Sequence, residues 1–559
     1  MKKYLKYIFV LPAVALTVVT LCFATRNDFG LGRNMEILIN MMRELTLNYV
    51  DEVDPDKLAK DAADGMMRSL DPYTVYMPED ETADLRLMTT GKYGGVGSLI
   101  RQRGEYVVIA QPYKGSPSDR AGLIIGDKIL NVDGEDARGF STEDVSKRLK
   151  GDPGTTVKVT VEKLVSGEVE TLTLRRERIA IPSIPYAGFI GDGIAYIHHN
   201  EFTEDSYREM RAALLRLQQE QPLRGIILDY RSNGGGLMEE AVNVLSLFLP
   251  KGTEVLITRG RDTRGERRYK TEHTPIVPDS IPMAVLINGN TASSSEIVTG
   301  ALQDFDRAVV IGQRSFGKGL VQTTFPVGYN GYVKLTTAKY YTPSGRCVQA
   351  VDYSDHGAEG SARTIPDSLT HEFRTANGRI VRDGGGITPD IKTEPDYMCR
   401  FAMTLYAAGH IDEFGDEYFK HHFDDKIDNR TFSITDADYE EFRSFMADRD
   451  VPYESDTRRT LNTLRKAVES DLFEDDLKPI IESIESNIHD DKQTNLTTYR
   501  DDIVQMINSD IVMRHSYAAG AAEYNLMHDK EVARAAALLA DRAEYDSLLA
   551  RPEEPTINN

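Results

Sequence analysis

A serine and a lysine that lie 25 positions apart are the residues of this sequence best suited to hydrolytic chemistry. Ser293 follows a short apolar run and a turn, and it precedes a predicted helix over Glu296–Gln303. A serine at a helix N-terminus can act as a nucleophile, because unpaired helix N–H groups there can stabilise an oxyanion. No histidine lies between His273 and His356, so Lys318 is the local candidate base. It can serve only if burial leaves its amine neutral.

The same residues resemble the C-terminal processing peptidases, serine–lysine peptidases that are also called tail-specific proteases. The segments that carry the resemblance are Thr291–Glu296, which reads TASSSE, and Phe316–Gln322, which reads FGKGLVQ. The resemblance implies that Ser293 is the nucleophile, that Lys318 is the general base and that Gln322 positions the lysine amine. It also matches Asp304 to an acid that is sometimes counted with the dyad, although an acid at a helix end is the plainer interpretation.

A glycine-rich segment, Asp229–Leu237, follows a predicted buried strand and precedes a predicted helix. Three consecutive glycines in that position can form a backbone nest that accepts an anion. A phosphate-binding loop is the competing interpretation, but the pattern G-x-x-x-x-G-K-[ST] is absent from the segment. The family resemblance implies an oxyanion hole made by the backbone N–H groups of Gly235 and Ser294.

Residues 91–174 alternate strand-like runs with turns and resemble a PDZ domain of the bacterial, circularly permuted kind. The segments that carry this resemblance are Gly115–Leu123 and Asp127–Gly134. Glycines allow backbone N–H groups to converge on a terminal carboxylate while a peptide adds as a strand to the sheet edge. An ordinary glycine-rich hairpin is the alternative. The resemblance implies a substrate-tail site made by Gly94, Gly95, Val96 and Gly97.

Composition excludes several classes of protein. The chain has 559 residues and a formal net charge of −22, which argues against binding a nucleic-acid backbone. Its three cysteines and scattered histidines show no zinc-ligand spacing, so no metal and no cofactor is expected. One disulfide, Cys347–Cys399, is compatible with the sequence but does not follow from the spacing.

The amino-terminal residues predict export. Lys2, Lys3 and Lys6 precede the uncharged stretch Tyr7–Ala24, so residues 1–24 are predicted to be a signal peptide or a membrane anchor. The protein is accordingly expected at the periplasmic face of the inner membrane, or free in the periplasm after cleavage. Residues 25–90 have helical periodicity, with apolar stripes typical of core or dimer packing, so a homo-oligomer is a further expectation.

The predicted fold is α/β and multidomain. Residues 175–395 show a β-α-β order, and the resemblance implies a crotonase-like peptidase core there, with the PDZ domain inserted before it. Residues 396–559 are predicted to form a helical appendage. The leading hypothesis is an exported serine endopeptidase that binds the free C-terminal tails of protein or peptide substrates. The alternatives are a non-catalytic, membrane-tethered PDZ scaffold and a small-molecule acyl hydrolase, for which a G-x-S-x-G elbow is missing.

Overall fold

The computed structural model describes residues 30–551, apart from residues 82–86, 88, 263–264, 357–361, 472–473 and 489. The predicted signal peptide or anchor, residues 1–24, lies outside the described part of the chain. None of the helices in that part combines the length and the hydropathy that crossing a bilayer requires. The chain divides into two compact units, one made of Met1–Thr82 with Gln322–Thr337, the other of Ala83–Val321 with Ala338–Asn559.

The first unit begins with two helices, α1 (residues 30–48) and α2 (Pro55–Met67). Asp54 caps α2 by accepting hydrogen bonds from the backbone N–H groups of the first turn. Strand β1 (Val75–Met77) follows and pairs antiparallel with residues 332–334. A 3₁₀ turn over Glu79–Glu81 ends the described part of this segment. These elements confirm the predicted N-terminal helices.

The second unit contains a β-rich domain at the position of the predicted PDZ domain. Its main sheet has the order β3-β4-β5-β7-β8, with β6 paired to β5, so β3 is an edge strand. Strands β2 and β9, which come directly before and after this sheet in the sequence, pair antiparallel with each other as a separate two-stranded ribbon. Buried Val107, Ile129 and Val159 belong to the domain's own core. The elements are β2 (Lys92–Gly95), β3 (Ser98–Arg103), β4 (Tyr106–Pro112), α3 (Pro117–Arg120), β5 (Lys128–Val132), β6 (Glu135–Asp136), α4 (Thr142–Leu149), β7 (Thr156–Glu162), β8 (Val169–Arg175) and β9 (Glu177–Ala180).

A six-stranded sheet of order β10-β11-β12-β15-β16-β23 forms the centre of the unit, and only β10 runs antiparallel to its neighbour. Parallel strands buried on both faces read as continuous apolar runs, which explains why the sequence pattern located β12 and β15. One face packs on the helices α5, α6 and α7. The elements are β10 (Tyr186–Ile190), β11 (Ile194–His198), α5 (Ser206–Glu220), β12 (Gly225–Asp229), α6 (Met238–Leu245), β15 (Met283–Ile287), α7 (Ser294–Asp304), β16 (Val309–Gly312) and β23 (Ile391–Lys392).

The remaining strands that the structure describes belong to sheets separate from the six-stranded one. Strand β13 pairs with β14 and with residues 338–341 at the end of β18. Two small antiparallel pairs, β19 with β20 and β21 with β22, lie between β18 and β23 in the sequence. The elements are β13 (Glu254–Gly260), β14 (Arg267–Lys270), β17 (Leu320–Gly328), β18 (Gly331–Tyr341), β19 (Val351–His356), β20 (Ala362–Thr364), a 3₁₀ turn (Asp367–Leu369), β21 (Glu372–Arg374) and β22 (Ile380–Arg382).

The carboxy-terminal region is helical, as predicted, and its last two helices pack on the central sheet. Val532 and Leu538 share a core with Ile227 and Leu286 of the sheet, so this region covers the face opposite α7. Cys347 and Cys399 are free thiols, so the disulfide that the sequence left open is not formed. The helices are α8 (Arg400–Ala407), α9 (His410–His422), α10 (Asp436–Phe445), α11 (Asp456–Ser470), α12 (Glu474–Ser486), α13 (Lys492–Thr498), α14 (Arg500–Leu526), α15 (Lys530–Ala540) and α16 (Arg542–Leu549).

Candidate active site

Ser293 lies where the chain turns from strand β15 into helix α7. It is the N-cap residue of α7, and its backbone has φ 56° and ψ −116°. A serine held at positive φ is strained, and surrounding structure must compensate for that cost of roughly 1–3 kcal/mol. Strain of this kind is common at functional sites, and the turn leaves the Ser293 side chain half-buried rather than enclosed.

The Glu296 carboxylate organises the backbone on both sides of Ser293. One oxygen, Oε2, accepts the backbone N–H groups of Ser293 and Lys318, each at 2.8 Å. The other, Oε1, accepts Ser315 Oγ at 2.6 Å and the Gly317 N–H at 2.8 Å. Burial raises the pKa of Glu296 above its ordinary value, although these four donors act to lower it.

The backbone of Lys318 therefore lies close in space to the backbone of Ser293. Because both N–H groups bond the same carboxylate oxygen, their nitrogens are at most twice the 2.8 Å bond length apart. The neighbouring Phe316 N–H also donates to Thr291 O at 3.0 Å, which joins the two segments a second time. The Lys318 residue is half-buried. The structure thus brings the backbones of Ser293 and Lys318 close to each other, and their pairing as a dyad stays a prediction.

The glycine-rich loop approaches Ser293 closely. A Cβ atom on Gly235, whose φ is 103°, would lie 2.7 Å from Ser293 Cβ and 2.9 Å from the Ser294 nitrogen, so a larger residue does not fit. The Gly235 N–H itself donates to Asn233 Oδ1 at 2.8 Å. Within the described residues no acceptor bonds the Ser294 N–H. Of the two predicted oxyanion donors, only Ser294 is open in this conformation, because an Asx turn at Asn233 occupies Gly235.

Hydrogen bonds hold this loop against the start of α7. Asn233 O accepts the Ala292 N–H at 3.0 Å and Ser295 Oγ at 3.1 Å. Ser294 Oγ donates to Gly236 O at 2.9 Å. The position of the loop is therefore coupled to the position of the serine turn.

Two further predicted residues have other partners. Asp304 ends α7, an 11-residue helix, so its backbone is about 16 Å from the start of that helix. Its buried carboxylate pairs with Arg346 at 2.8 Å and accepts a 2.6 Å hydrogen bond from Thr342 Oγ1. These contacts indicate a structural role for Asp304, at the opposite end of α7 from Ser293. Gln322 belongs to the first unit, where its side-chain nitrogen donates to Thr336 Oγ1 at 3.2 Å.

The predicted tail-binding loop lies at the end of the β2 strand. Val96 O accepts both the N–H and the Oγ of Ser118 at 2.9 Å, and Gly97 has φ 76°. In the part of the chain that the structure describes, no acceptor bonds the N–H groups of Val96 and Gly97. Beside the loop is a groove of about 390 Å³ between edge strand β3 and helix α4, lined by Tyr93, Val96, Gly97, Ile100, Ser146 and Leu149 among others.

Sequence reasoning overlooked the roles of Glu296 and Arg231. A signal for Glu296 was available, since a serine followed three positions later by glutamate is the pattern of a helix capping box. Arg231 bonds Glu531, which lies 300 positions later, and no local pattern predicts that contact. No group of three or more potential metal ligands occurs among the described residues.

Four family descriptions match this chain. "Peptidase family S41" matches residues 193–356, and "PDZ domain" matches residues 108–163. "Probable PDZ-protease, C-terminal helical domain" matches residues 401–539, and "Activating protease CtpB N-terminal domain" matches residues 31–82. The match at residues 401–539 assigns a known domain to a region in which the sequence analysis found only helical periodicity.

Individual relatives align with about three fifths of the chain. A "Carboxy-terminal-processing protease" of Bartonella bacilliformis is 34% identical over 342 residues, which is 61% of this chain and 78% of that protein. A "Probable CtpA-like serine protease" of Staphylococcus aureus strain COL is 32% identical over 346 residues, 61% of this chain and 68% of that protein. A solved "Photosystem II D1 C-terminal processing protease" is 28% identical, covering 64% of this chain and 87% of its own, with a TM-score of 0.34.

Proposed function

The chain belongs to the carboxy-terminal-processing proteases of peptidase family S41, and we propose that Ser293 and Lys318 form the catalytic dyad of this serine-type peptidase. One observation carries the proposal: a single oxygen of Glu296 accepts the backbone N–H groups of both residues. This shared bond keeps two segments that are 25 positions apart in fixed relative position.

The dyad would act by general-base and covalent catalysis. The neutral Lys318 amine takes the proton from Ser293 Oγ as that oxygen attacks the scissile carbonyl carbon. The Ser294 N–H, at the start of α7, stabilises the resulting oxyanion, and the Gly235 N–H joins it once Asn233 Oδ1 releases it. The amine leaving group takes the proton, and Lys318 then activates a water that hydrolyses the acyl-enzyme.

The substrate would be a protein or peptide bound by its free C-terminal tail. The open N–H groups of Val96 and Gly97 suit a terminal carboxylate, and edge strand β3 can accept an extended peptide beside them. The groove beneath is lined by Ile100 and Leu149, so an apolar final side chain fits its chemistry. The amino-terminal pattern of residues 1–24 supports export, which places the proposed activity outside the cytoplasm, in the periplasm or at the membrane.

Substitution of the dyad tests the proposal. We expect Ser293→Ala and Lys318→Ala each to abolish cleavage of an unfolded protein with an apolar free C-terminus, while both variants still bind a peptide of that tail. Lys251→Ala, at an exposed position, serves as the matched control and should retain wild-type turnover. Cleavage by wild type should rise with pH, because only the uncharged amine accepts a proton. Wild-type turnover in Lys318→Ala would refute the dyad, and equal activity of wild type and Ser293→Ala would favour the scaffold alternative.

A further inference from the structure

The glycine-rich loop begins at Arg231, whose guanidinium is surrounded by carboxylates. Asp229 Oδ1 accepts the Arg231 backbone N–H at 2.9 Å and its Nε at 3.0 Å. Burial acts to lower the pKa of Arg231, but the Asp229 carboxylate and its neighbours outweigh it, so that pKa lies above its ordinary value. Burial likewise acts to raise the pKa of Asp229, and Arg231 outweighs it in turn. The pair is therefore fully charged at neutral pH.

The carboxy-terminal helical domain supplies the rest of this carboxylate ring. Arg231 Nη1 donates to Glu531 Oε2 at 2.9 Å, and Arg231 Nη2 lies 2.7 Å from Asp529 Oδ2. Asp529 is the N-cap of α15, where its other oxygen accepts the N–H groups of Glu531 and Val532. The same two residues thus begin a helix and bind the loop arginine.

Glu531 is buried and bonds the sheet as well as the loop. Its Oε1 accepts Gln313 Nε2 at 2.5 Å and the Thr393 hydroxyl. Gln313 and Thr393 follow β16 and β23, and Arg231 follows β12. The carboxyl ends of parallel strands share one edge of a sheet, which is where α/β folds place their ligand sites. Glu531 therefore joins three strand ends along that edge.

The loop transmits this anchoring to the nucleophile. Ser232, directly after Arg231, has φ 60°, and its N–H donates to Asn288 Oδ1 at 2.9 Å. Asn288 begins the turn that leads to Ser293, and Asn233 O bonds the Ala292 N–H. Polar contacts, joined by the backbone of residues 231–233, therefore connect α15 to Ala292 and Ser295 on either side of Ser293.

We propose that Glu531, assisted by Asp529, is a positioning residue for the glycine-rich loop, so that the carboxy-terminal domain completes the active site. The inference rests on the proposed catalytic function of Ser293 and goes beyond it. The Glu531 carboxylate bonds Arg231, Gln313 and Thr393 and would act on Ser293 only through the loop. It holds the Arg231 guanidinium in place and thereby fixes where Asn233 and Gly235 lie relative to the serine turn.

The matched variants Glu531→Gln and Glu544→Gln test this role in the full chain. Glu544 lies on α16 and pairs with Arg534 at the surface of the same domain. A fluorogenic peptide with an apolar free C-terminus gives kcat and KM, and hydrogen exchange reports amide protection over residues 230–237. For Glu531→Gln we expect faster amide exchange in residues 230–237. We also expect kcat to fall about 10-fold to 100-fold with little change in KM, because a small misplacement of catalytic groups can cost that much in rate. Glu544→Gln should behave like wild type.

A double substitution separates positioning from general stability. In an Arg231→Gln background the further change Glu531→Gln should cost much less kcat than it costs in wild type, because the guanidinium that Glu531 binds is already gone. Unchanged exchange in residues 230–237, an unchanged kcat, or fully additive losses would overturn the proposal. Hydrogen exchange tests the positioning role of Glu531 independently of activity. If wild type proved no more active than Ser293→Ala, the proposed function would be contradicted, but the exchange result would still support or overturn the role of Glu531.

Discussion

At the scale of single residues, the Glu296 carboxylate is the side chain on which the geometry of the site most depends. Glu296→Gln keeps the size but replaces one oxygen by an NH₂ group, which then faces two donors instead of accepting them. We expect at least about 100-fold loss of turnover and about 2 kcal/mol or more of lost stability, because buried donors are left unsatisfied. Steady-state kinetics and urea unfolding measure the two effects.

The control for that variant is Glu220→Gln, which removes the charge of an exposed i,i+4 partner of Arg216 on α5. A surface pair of this kind contributes about 1 kcal/mol or less. If Glu296→Gln proved as active and as stable as this control, the shared carboxylate would not hold Ser293 and Lys318 in place.

Local spacing predicted part of this site, and chemistry explains where the prediction stopped. Ser293 and Lys318 stand in short, unusual segments, so their types and spacing were informative. The Gly235 N–H donates to Asn233 Oδ1 in an Asx turn, which forms only in one conformer of the Asn233 side chain. The amino-acid sequence does not distinguish that conformer from an open loop. Asp304 matched the position of an acid in the family pattern. Its pairing with Arg346, however, follows from the fold of β18 and the turn after it.

At the scale of elements, the loop between β2 and β3 carries a conformation that only glycine accommodates well. A Cβ on Gly97, at φ 76°, would lie 2.4 Å from Ser116 Cβ. Gly97→Ala should therefore displace the loop and weaken binding of a peptide with a free apolar C-terminus by at least about 10-fold, since the aligned N–H groups are lost. Fluorescence anisotropy of a labelled tail peptide measures this.

Gly167→Ala is the matched control for Gly97→Ala. Gly167 also has positive φ, at 69°, but a Cβ there would meet nothing within 4 Å. Both variants incur the backbone cost of about 1–2 kcal/mol, and only the Gly97 variant adds a clash at the proposed tail site. Equal tail affinity in the two variants would argue against a role for the 94–97 loop in substrate recognition.

Several elements were predictable because their patterns are local. The sequence predicts apolar strands over Gly225–Leu228 and Ala284–Ile287 and a helix over Glu204–Gln219. These segments correspond to β12, β15 and α5, with ends shifted by only one or two residues. The partner of the sheet's second face was not predicted, although a buried parallel sheet requires one. Its helices, α15 and α16, come more than 130 positions after β23, and alanine-rich periodicity indicates a helix without indicating what it packs against.

At the scale of the whole chain, the exposed apolar side chains of α1 support the expectation of a homo-oligomer. Leu31, Met35, Leu38, Met41 and Leu45 recur at helical spacing and are 38–63% exposed. A stripe of that kind is typical of a helix that packs against a partner. This remains a prediction, and the hydrodynamic size of the full chain would measure it.

Within the second unit, a buried ionic cluster joins the PDZ domain to the carboxy-terminal helical domain. Arg514 of α14 is fully buried and pairs with Asp412, Asp416 and Asp510. Arg101 and Arg103, on the edge strand β3 that borders the proposed tail groove, pair with Asp412 and Asp416 from the other side. Burial raises the pKa of Asp510, and the neighbouring Arg514 guanidinium acts to lower it, so Arg514 favours the charged form of that carboxylate.

Removing the central arginine should therefore destabilise the chain strongly. Arg514→Met leaves buried carboxylates without their closest cation, and we expect a loss of about 3–5 kcal/mol in the free energy of unfolding. Arg465→Met, which breaks a half-exposed pair with Glu485 in the same domain, should cost about 1 kcal/mol or less. Chemical denaturation followed by circular dichroism measures both variants. Similar losses in the two would mean that the cluster contributes no more than a surface pair.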